Sequence, residues 1–346
     1  MGISCAGDFF DVRSPYRCKN FYRETSNFFQ QHSLFAILFF KTMDRALWGI
    51  DLGGTKTEGV ILPSLDEAKP LLRLRIHTES NKGYDHIVHQ VKKLVDQMKQ
   101  QSGLTPTAIG FGTPGVLDPL NQTMKNCNST ALNGMPLKKD LEEILGVDAV
   151  LANDANCFAL AETHWGVVKE KAPNAKMVFG IIMGTGVGGG IVHEGRVWSG
   201  FHGIGGEWGH NFLDETGGPC YCGKTGCVET VLSGPGLQKF YSNLSGQELT
   251  LKEIVDAYRL GKDSAAVQTM ERLFQYFGKA VSVVINLLDP DVIVIGGGVG
   301  NIDELYTKGY EWIGKYIFND RVEVPLLKPM LGDSAGVFGA AALVAK

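Results

Sequence analysis

Twice along this chain an apolar strand runs through a glycine-rich turn into a second strand, and that repeat constrains the fold more than any other feature. The first copy is Leu47 to Leu62, with Gly53-Gly54 at the turn, and it reads as a β-hairpin. In the second, a strand from Met177 to Met183 meets a glycine turn from Gly184 to Gly190, and another strand runs from Gly190 to His193. The stretches downstream of the two copies are also alike. After the first come a strand at Arg73 to His77 and a helix from Tyr84 to Gln100. The helix shows its period in Ile87, Val88, Val91, Leu94, Val95 and Met98. A strand at Ala108 to Phe111, a helix at Leu137 to Leu145, a strand at Val147 to Leu151 and a helix at Ala155 to Trp165 complete that half. After the second copy come helices near Leu251 to Leu260 and Ser264 to Leu288. The apolar strand Val292 to Ile295 then runs into Gly296-Gly297-Gly298. A meander leading into βαβ units is mixed α/β architecture. Two such halves imply a duplicated fold with a cleft between them, where ligands favour binding.

Glycine is over-used, at 44 of 346 residues, where the usual share of about 7% would give about 24. Without a collagen period, the excess belongs to tight turns and close backbone approaches. The net charge is −4, with 33 basic against 37 acidic residues, so bulk charge gives no support to a nucleic-acid surface. No apolar run approaches the ~20 residues of a spanning helix. The nearest, Leu34 to Phe40, lacks the layout of a signal peptide. Seven cysteines, three of them crowded at Cys220, Cys222 and Cys227, read as a reduced cluster in a cytoplasmic protein rather than a disulfide framework. Residues 1–42 hold 8 of the 18 phenylalanines without a helical or strand period. They read as an extension outside the core, with translation starting at Met43, and their removal is expected to be neutral.

The motifs carry the chemistry. In Asp51-Leu52-Gly53-Gly54-Thr55-Lys56-Thr57, glycines at a strand turn let backbone N–H groups reach phosphate oxygens. Asp51 at the strand end suits a hydrated Mg²⁺, although a plain hairpin turn has the same look. Gly184-Thr185-Gly186-Val187-Gly188-Gly189-Gly190 satisfies the dinucleotide fingerprint G-x-G-x-x-G but leads into a strand, not the helix that fingerprint requires. A second phosphate-cradling hairpin fits better. Gly218 to Thr225 satisfies the P-loop expression, yet no apolar strand precedes it and two cysteines occupy the loop. Those cysteines make better sense with His210. The spacing H-x9-C-x-C-x4-C over His210, Cys220, Cys222 and Cys227 offers one imidazole and three thiolates, a set that suits closed tetrahedral zinc. Asn153-Asp154 stands at the C-terminal end of a strand, the usual ligand edge of an α/β sheet. Asp154 also fits there as a helix N-cap. Glu207, His210 and Glu229 add acceptors of the kind a polyol needs.

These segments resemble the ROK family of bacterial sugar kinases, from Trp48 to the C-terminus. The likeness is carried by Gly49 to Lys56, Asn153 to Asn156, Gly184 to Gly188, Gly206 to His210 and, most specifically, Cys220 to Glu229. The manno(fructo)kinase branch is similar at Lys125 to Thr130, Leu132-Asn133-Gly134 and Gly332-Asp333-Ser334; N-acetylglucosamine kinases are similar at Cys157 to Leu160 and Gly184 to Gly190. The resemblance implies an α/β actin-like ATPase (ribonuclease H-like) fold with two lobes around a cleft. An extension at 1–43 would precede an N-terminal lobe at 44–154, joined by a C-terminal helix at about 333–346. The second lobe would be 155–332, with its zinc loop at 207–229.

It further implies Asp154 as the base that deprotonates a sugar 6-hydroxyl, with Gly112, Thr113, Asn128, Asn153, Glu207, His210 and Glu229 around the sugar. ATP with Mg²⁺ would lie on Asp51, Gly53, Gly54, Thr55, Lys56, Gly184, Thr185 and Gly186, its adenosine against Gly296, Gly297 and Gly298. His210 would put one nitrogen on zinc and the other on the sugar. The implied protein is a cytoplasmic homodimer acting on a hexose, fructose first, without nucleic-acid or membrane partners. N-acetylglucosamine or glucose is the alternative sugar. A sugar-responsive repressor or non-catalytic sensor is the alternative class, opposed by the acidic balance and the full set of catalytic positions.

Overall fold

A computed structural model describes residues 46–345, so the expected extension at residues 1–43 lies outside the described residues. The first hairpin is β1 (Leu47–Leu52) and β2 (Lys56–Leu62), followed by β3 (Leu72–His77), α1 (Tyr84–Ser102) and β4 (Ala108–Thr113). The small hairpin β5 (Val116–Leu117) and β6 (Met124–Lys125), helix α2 (Leu137–Leu145) and strand β7 (Asp148–Asn153) complete this part. Its sheet has the order β3-β2-β1-β4-β7. The first three strands are antiparallel and the last two join in parallel. Helix α1 buries the six apolar residues expected from its period, and Gly103 ends it at φ 70°.

The chain then enters α3 (Asp154–His164) and α4 (Val167–Lys171) and begins again. Strands β8 (Met177–Met183), β9 (Val187–His193) and β10 (Arg196–Val197) precede α5 (Val228–Leu232), α6 (Gly234–Ser245), α7 (Leu251–Leu260) and α8 (Ser264–Leu288). Strand β11 (Val292–Gly296), α9 (Lys308–Ile313), β12 (Leu326–Leu327) and α10 (Ala335–Ala342) finish it. The second sheet, β10-β9-β8-β11-β12, repeats the first in order and sense. The duplication expected from the two strand–turn–strand units is present.

One expected boundary differs by more than two residues. The second glycine turn is short, and β9 starts at Val187, so Gly188, Gly189 and Gly190 pair with Ile182, Ile181 and Gly180. A sheet ladder uses only backbone groups, and these glycines serve close packing instead of a turn. Helix α3 lies on the second sheet, α10 on the first, and the two helices pack against each other. Their seats explain part of the glycine excess. A Cβ at Gly190 would strike Ala155, one at Gly110 would strike Ala340, and one at Gly339 would strike Cys157, each at the backbone. Because α3 is covered on both sides, every residue from Ala155 to Glu162 is buried. The larger core lies under the second sheet, around Phe274, Phe277 and Tyr241.

Candidate active site

Strand β7 ends at Asn153, which has extended backbone and caps α3, its Oδ1 accepting from the Asn156 N–H at 2.9 Å. The cap is therefore Asn153, which leaves Asp154, the other candidate for that role, free as the first helical residue. Asn153 also donates through Nδ2 to Glu207 Oε1 at 3.1 Å. Asp154 stands on the floor of the cleft, reachable by water yet surrounded by protein. Burial raises its pKa above the ordinary 3.8, while the Ala155 N–H, 2.8 Å from Oδ1, pulls it down.

A cavity of about 270 Å³ opens over this carboxylate. Beside Asp154, the expected base, Asn128, Asn153, Glu207, His210 and Glu229 line it from the expected sugar set, and Gly184, Thr185 and Gly186 from the expected phosphate set. Glu229, near the start of α5, fixes the glycine turn by accepting from the Val187 N–H at 3.0 Å. Burial raises the Glu207 pKa, with His210 opposing. An outer cavity of about 980 Å³ shares Asn126, Glu207, His210 and Tyr221 with the inner one.

Two expected sugar residues stand apart. Thr113 is buried, its hydroxyl turned to the carbonyls of Gly115 at 2.8 Å and Ala152 at 3.1 Å, and it does not line the cavity. Gly112 lies below the floor, where a Cβ would meet Cys157 Sγ at 3.3 Å and Asp51 Oδ1 at 3.4 Å. In contrast, Pro114, Gly115 and Tyr221 line the cavity although they were not among the expected sugar residues, and Asn126 joins them from the Lys125 to Thr130 segment. Tyr221 was legible only as the spacer between two cysteines. Its ring stands edge-on to His210, and its hydroxyl lies 3.0 Å from His210 Nε2. The nitrogen expected to face a sugar hydroxyl thus meets Tyr221, because the loop folds back over the imidazole.

The β1–β2 turn carries Gly53, Gly54, Thr55 and Lys56 outside this cavity, held by the Gly53 N–H on the Lys56 carbonyl at 3.0 Å. Gly296 ends β11, and Gly297 comes next at φ 83° against the Met183 backbone, with Gly298 after it. Asp51, at the end of β1, is pushed up to about 6 by burial and by the neighbouring Asp154. It makes no ion pair among the described residues. A half-buried acid that makes no ion pair beside a phosphate-type turn fits Mg²⁺ arriving with a nucleotide.

The zinc reading has its own geometry. One atom each from His210, Cys220, Cys222 and Cys227 lie within 4.8 Å of one another. Cys220 Sγ is 3.7 Å from His210 Nδ1, and Cys222 Sγ is 3.6 Å from Cys227 Sγ. Tetrahedral thiolates with Zn–S bonds of about 2.3 Å stand about 3.8 Å apart, so the donor set fits the ion. The two decoy motifs fail as expected: β9 comes directly after Gly186, and Gly218 to Thr225 is a loop closed by a bridge between Pro219 and Thr225. No helix among the described residues is long and apolar enough to cross a membrane.

Known proteins share this architecture. The family model described as "ROK family" matches residues 47–346. An N-acetyl-D-glucosamine kinase of Histophilus somni is 35% identical, the match covering 86% of this chain and 98% of that protein. The ROK hexokinase of Thermus thermophilus superposes with a TM-score of 0.73 at 30% identity, covering 86% of this chain and 97% of that one. A Streptomyces griseus ROK glucokinase, solved with glucose and AMPPNP, superposes with a TM-score of 0.67 at 27% identity, covering 86% and 98%. The chain belongs to the ROK family and has the actin-like ATPase fold, two lobes around a cleft.

Proposed function

We propose that this ATP-dependent sugar kinase phosphorylates the 6-hydroxyl of a hexose, with fructose first and mannose next. Asp154 accepts the hydroxyl proton, and the oxygen attacks the γ-phosphate in line, forming the new O–P bond as the bond to the β–γ bridging oxygen breaks and ADP leaves. Catalysis then rests on placement and on charge neutralisation. Mg²⁺ bound with ATP supplies that neutralisation, and Asp51 would hold it. Gly184, Thr185 and Gly186 face the phosphates, while Glu207, Asn128, Asn153 and Glu229 hold sugar hydroxyls. Zinc on His210, Cys220, Cys222 and Cys227 would fix the loop that carries Tyr221 over the sugar.

The observation that carries the reading is the convergence of Asp154 with Asn128, Asn153, Glu207 and Glu229 around one cavity. Family membership alone leaves the sugar open, since the similar proteins are named for N-acetylglucosamine, hexose and glucose. Short amide side chains at Asn126 and Asn128 suit bare hydroxyls. A second reading, N-acetylglucosamine, is favoured by curated relatives of that name at 34–35% identity. Ile204, half exposed in the outer cavity, offers apolar surface to an acetyl methyl. ATP-to-ADP turnover with fructose, mannose, glucose and N-acetylglucosamine decides. Fructose is expected to give the highest kcat/KM, and filling or leaving an acetyl pocket is worth only ~1–3 kcal/mol. A tenfold or greater preference for N-acetylglucosamine overturns the fructose assignment and leaves the kinase standing.

A further inference from the structure

Eight positions along α3 from Asp154, Glu162 is fully buried and makes no bond to lysine or arginine among the described residues. Its carboxylate accepts three backbone N–H groups instead. Val167 donates to Oε2 at 2.9 Å, Leu331 to Oε1 at 2.9 Å, and Met330 to both oxygens at 3.1 Å. These donors come from different places in the chain. Val167 opens α4, on the path from β7 of the first sheet to β8 of the second. Met330 and Leu331 lie on the return path, from β12 of the second sheet to α10 on the first. One side chain therefore binds both segments by which the chain passes between the sheets.

The surroundings are built to admit it. A Cβ at Gly166 would collide with the Glu162 carboxylate. Farther along the same helix pair, α3 and α10 meet backbone to backbone at Cys157 and Gly339. The two contacts together fix how α3 lies across α10. Asp154 is at the far end of α3, about 12 Å from Glu162 at 1.5 Å per residue. A small rotation at one end therefore displaces the other, and in-line transfer does not tolerate misplacement of the order of 1 Å.

We propose that Glu162 is a positioning residue for phosphoryl transfer, pinning both inter-sheet crossings so that Asp154 stays aligned across the cleft. The proposal rests on the reading of Asp154 as the base. Glu162→Gln keeps the shape but turns an NH₂ toward a backbone donor, so one of the N–H groups loses its acceptor. It is expected to lower kcat at least tenfold, with KM for hexose and for ATP within threefold. Leu331→Pro removes one donor from the other side without touching α3, at a φ of −83° close to the proline range. It should give a smaller loss in the same parameter. Both variants are assayed well below their melting temperatures, beside Asp154→Asn. A kcat within threefold of the parent in both variants overturns the proposal, as does a loss confined to KM. Failure of both to fold overturns it too, since the cluster would then serve folding alone. An active Asp154→Asn would refute the base reading, whereas a dead Asp154→Asn beside an undisturbed Glu162→Gln would refute only the pin.

Discussion

Asp154 and Asn153 are neighbours in sequence, and helix geometry makes only Asn153 the cap. An N-cap must have extended backbone and an acceptor that reaches back to the N3 amide; Asn153 has both, at φ −72° and ψ 165°. Asp154 is therefore free for chemistry. Asp154→Asn removes the proton acceptor at nearly constant shape and should lower kcat by ~10²–10⁴, the usual share of a general base, with hexose binding kept. A loss under threefold would reduce the residue to a structural role. The pH dependence carries a sign as well. A base works only unprotonated, and burial raises this pKa above 3.8, so activity is lost as pH falls through the raised value. The acid limb of kcat/KM should accordingly lie above the ordinary aspartate range and vanish in the residual activity of Asp154→Asn. A limb at or below 3.8 would contradict the raised pKa.

Among the elements, the cysteine loop is the one that carries the candidate metal site. Cys222 and Tyr221 are exposed at the tip of the loop, which closes through backbone bonds such as the Cys220 N–H on the Lys224 carbonyl at 2.8 Å and the Gly226 N–H on the Gly218 carbonyl at 2.8 Å. A metal across His210 and the three thiols would add a further constraint, because binding free energy at a structural zinc is folding free energy. Cys222→Ser should lose about one zinc per chain and lower the melting temperature and hexose affinity together. Purified protein with no zinc and full activity would end that reading. How legible each element was depends on how its residues are placed. Helix α1 declared itself because one face meets the core and the other meets water, which leaves a period in the sequence. Helix α3 leaves no such period, since burial on both sides erases it. Strand β9 was cut short because glycines paired in a ladder look like a turn. The lining of the cavity was legible where a motif held the residue, as at Asp154, Glu207 and His210. Asn126 was legible only as part of the Lys125 to Thr130 segment, and Tyr221, which reaches the cavity through a loop path that leaves no period, was not.

At the scale of the whole molecule, the cavity belongs to neither sheet alone. Asn128, Asn153 and Asp154 come from the first half of the chain and its crossing helix, whereas Glu207, His210 and Glu229 come from the second. A hexose held between them binds the folded, two-lobed state and has no site in the unfolded chain. Linkage then sets the size of the effect. At a free hexose concentration of 100 times Kd the native state gains about 2.7 kcal/mol. Unfolding entropy near 60 °C is about 2.1 cal/mol/K per residue, so a unit of this size should melt about 4 °C higher. The shift should track the logarithm of hexose concentration, appear without ATP, and persist in Asp154→Asn, which keeps the sugar contacts while losing the proton acceptor. Replacing Glu207 with Ala, which removes a contact from the second half and strands the Asn153 amide, should shrink it. A turnover substrate that leaves the melting temperature unmoved at saturation would show that the sugar is not held between the two halves.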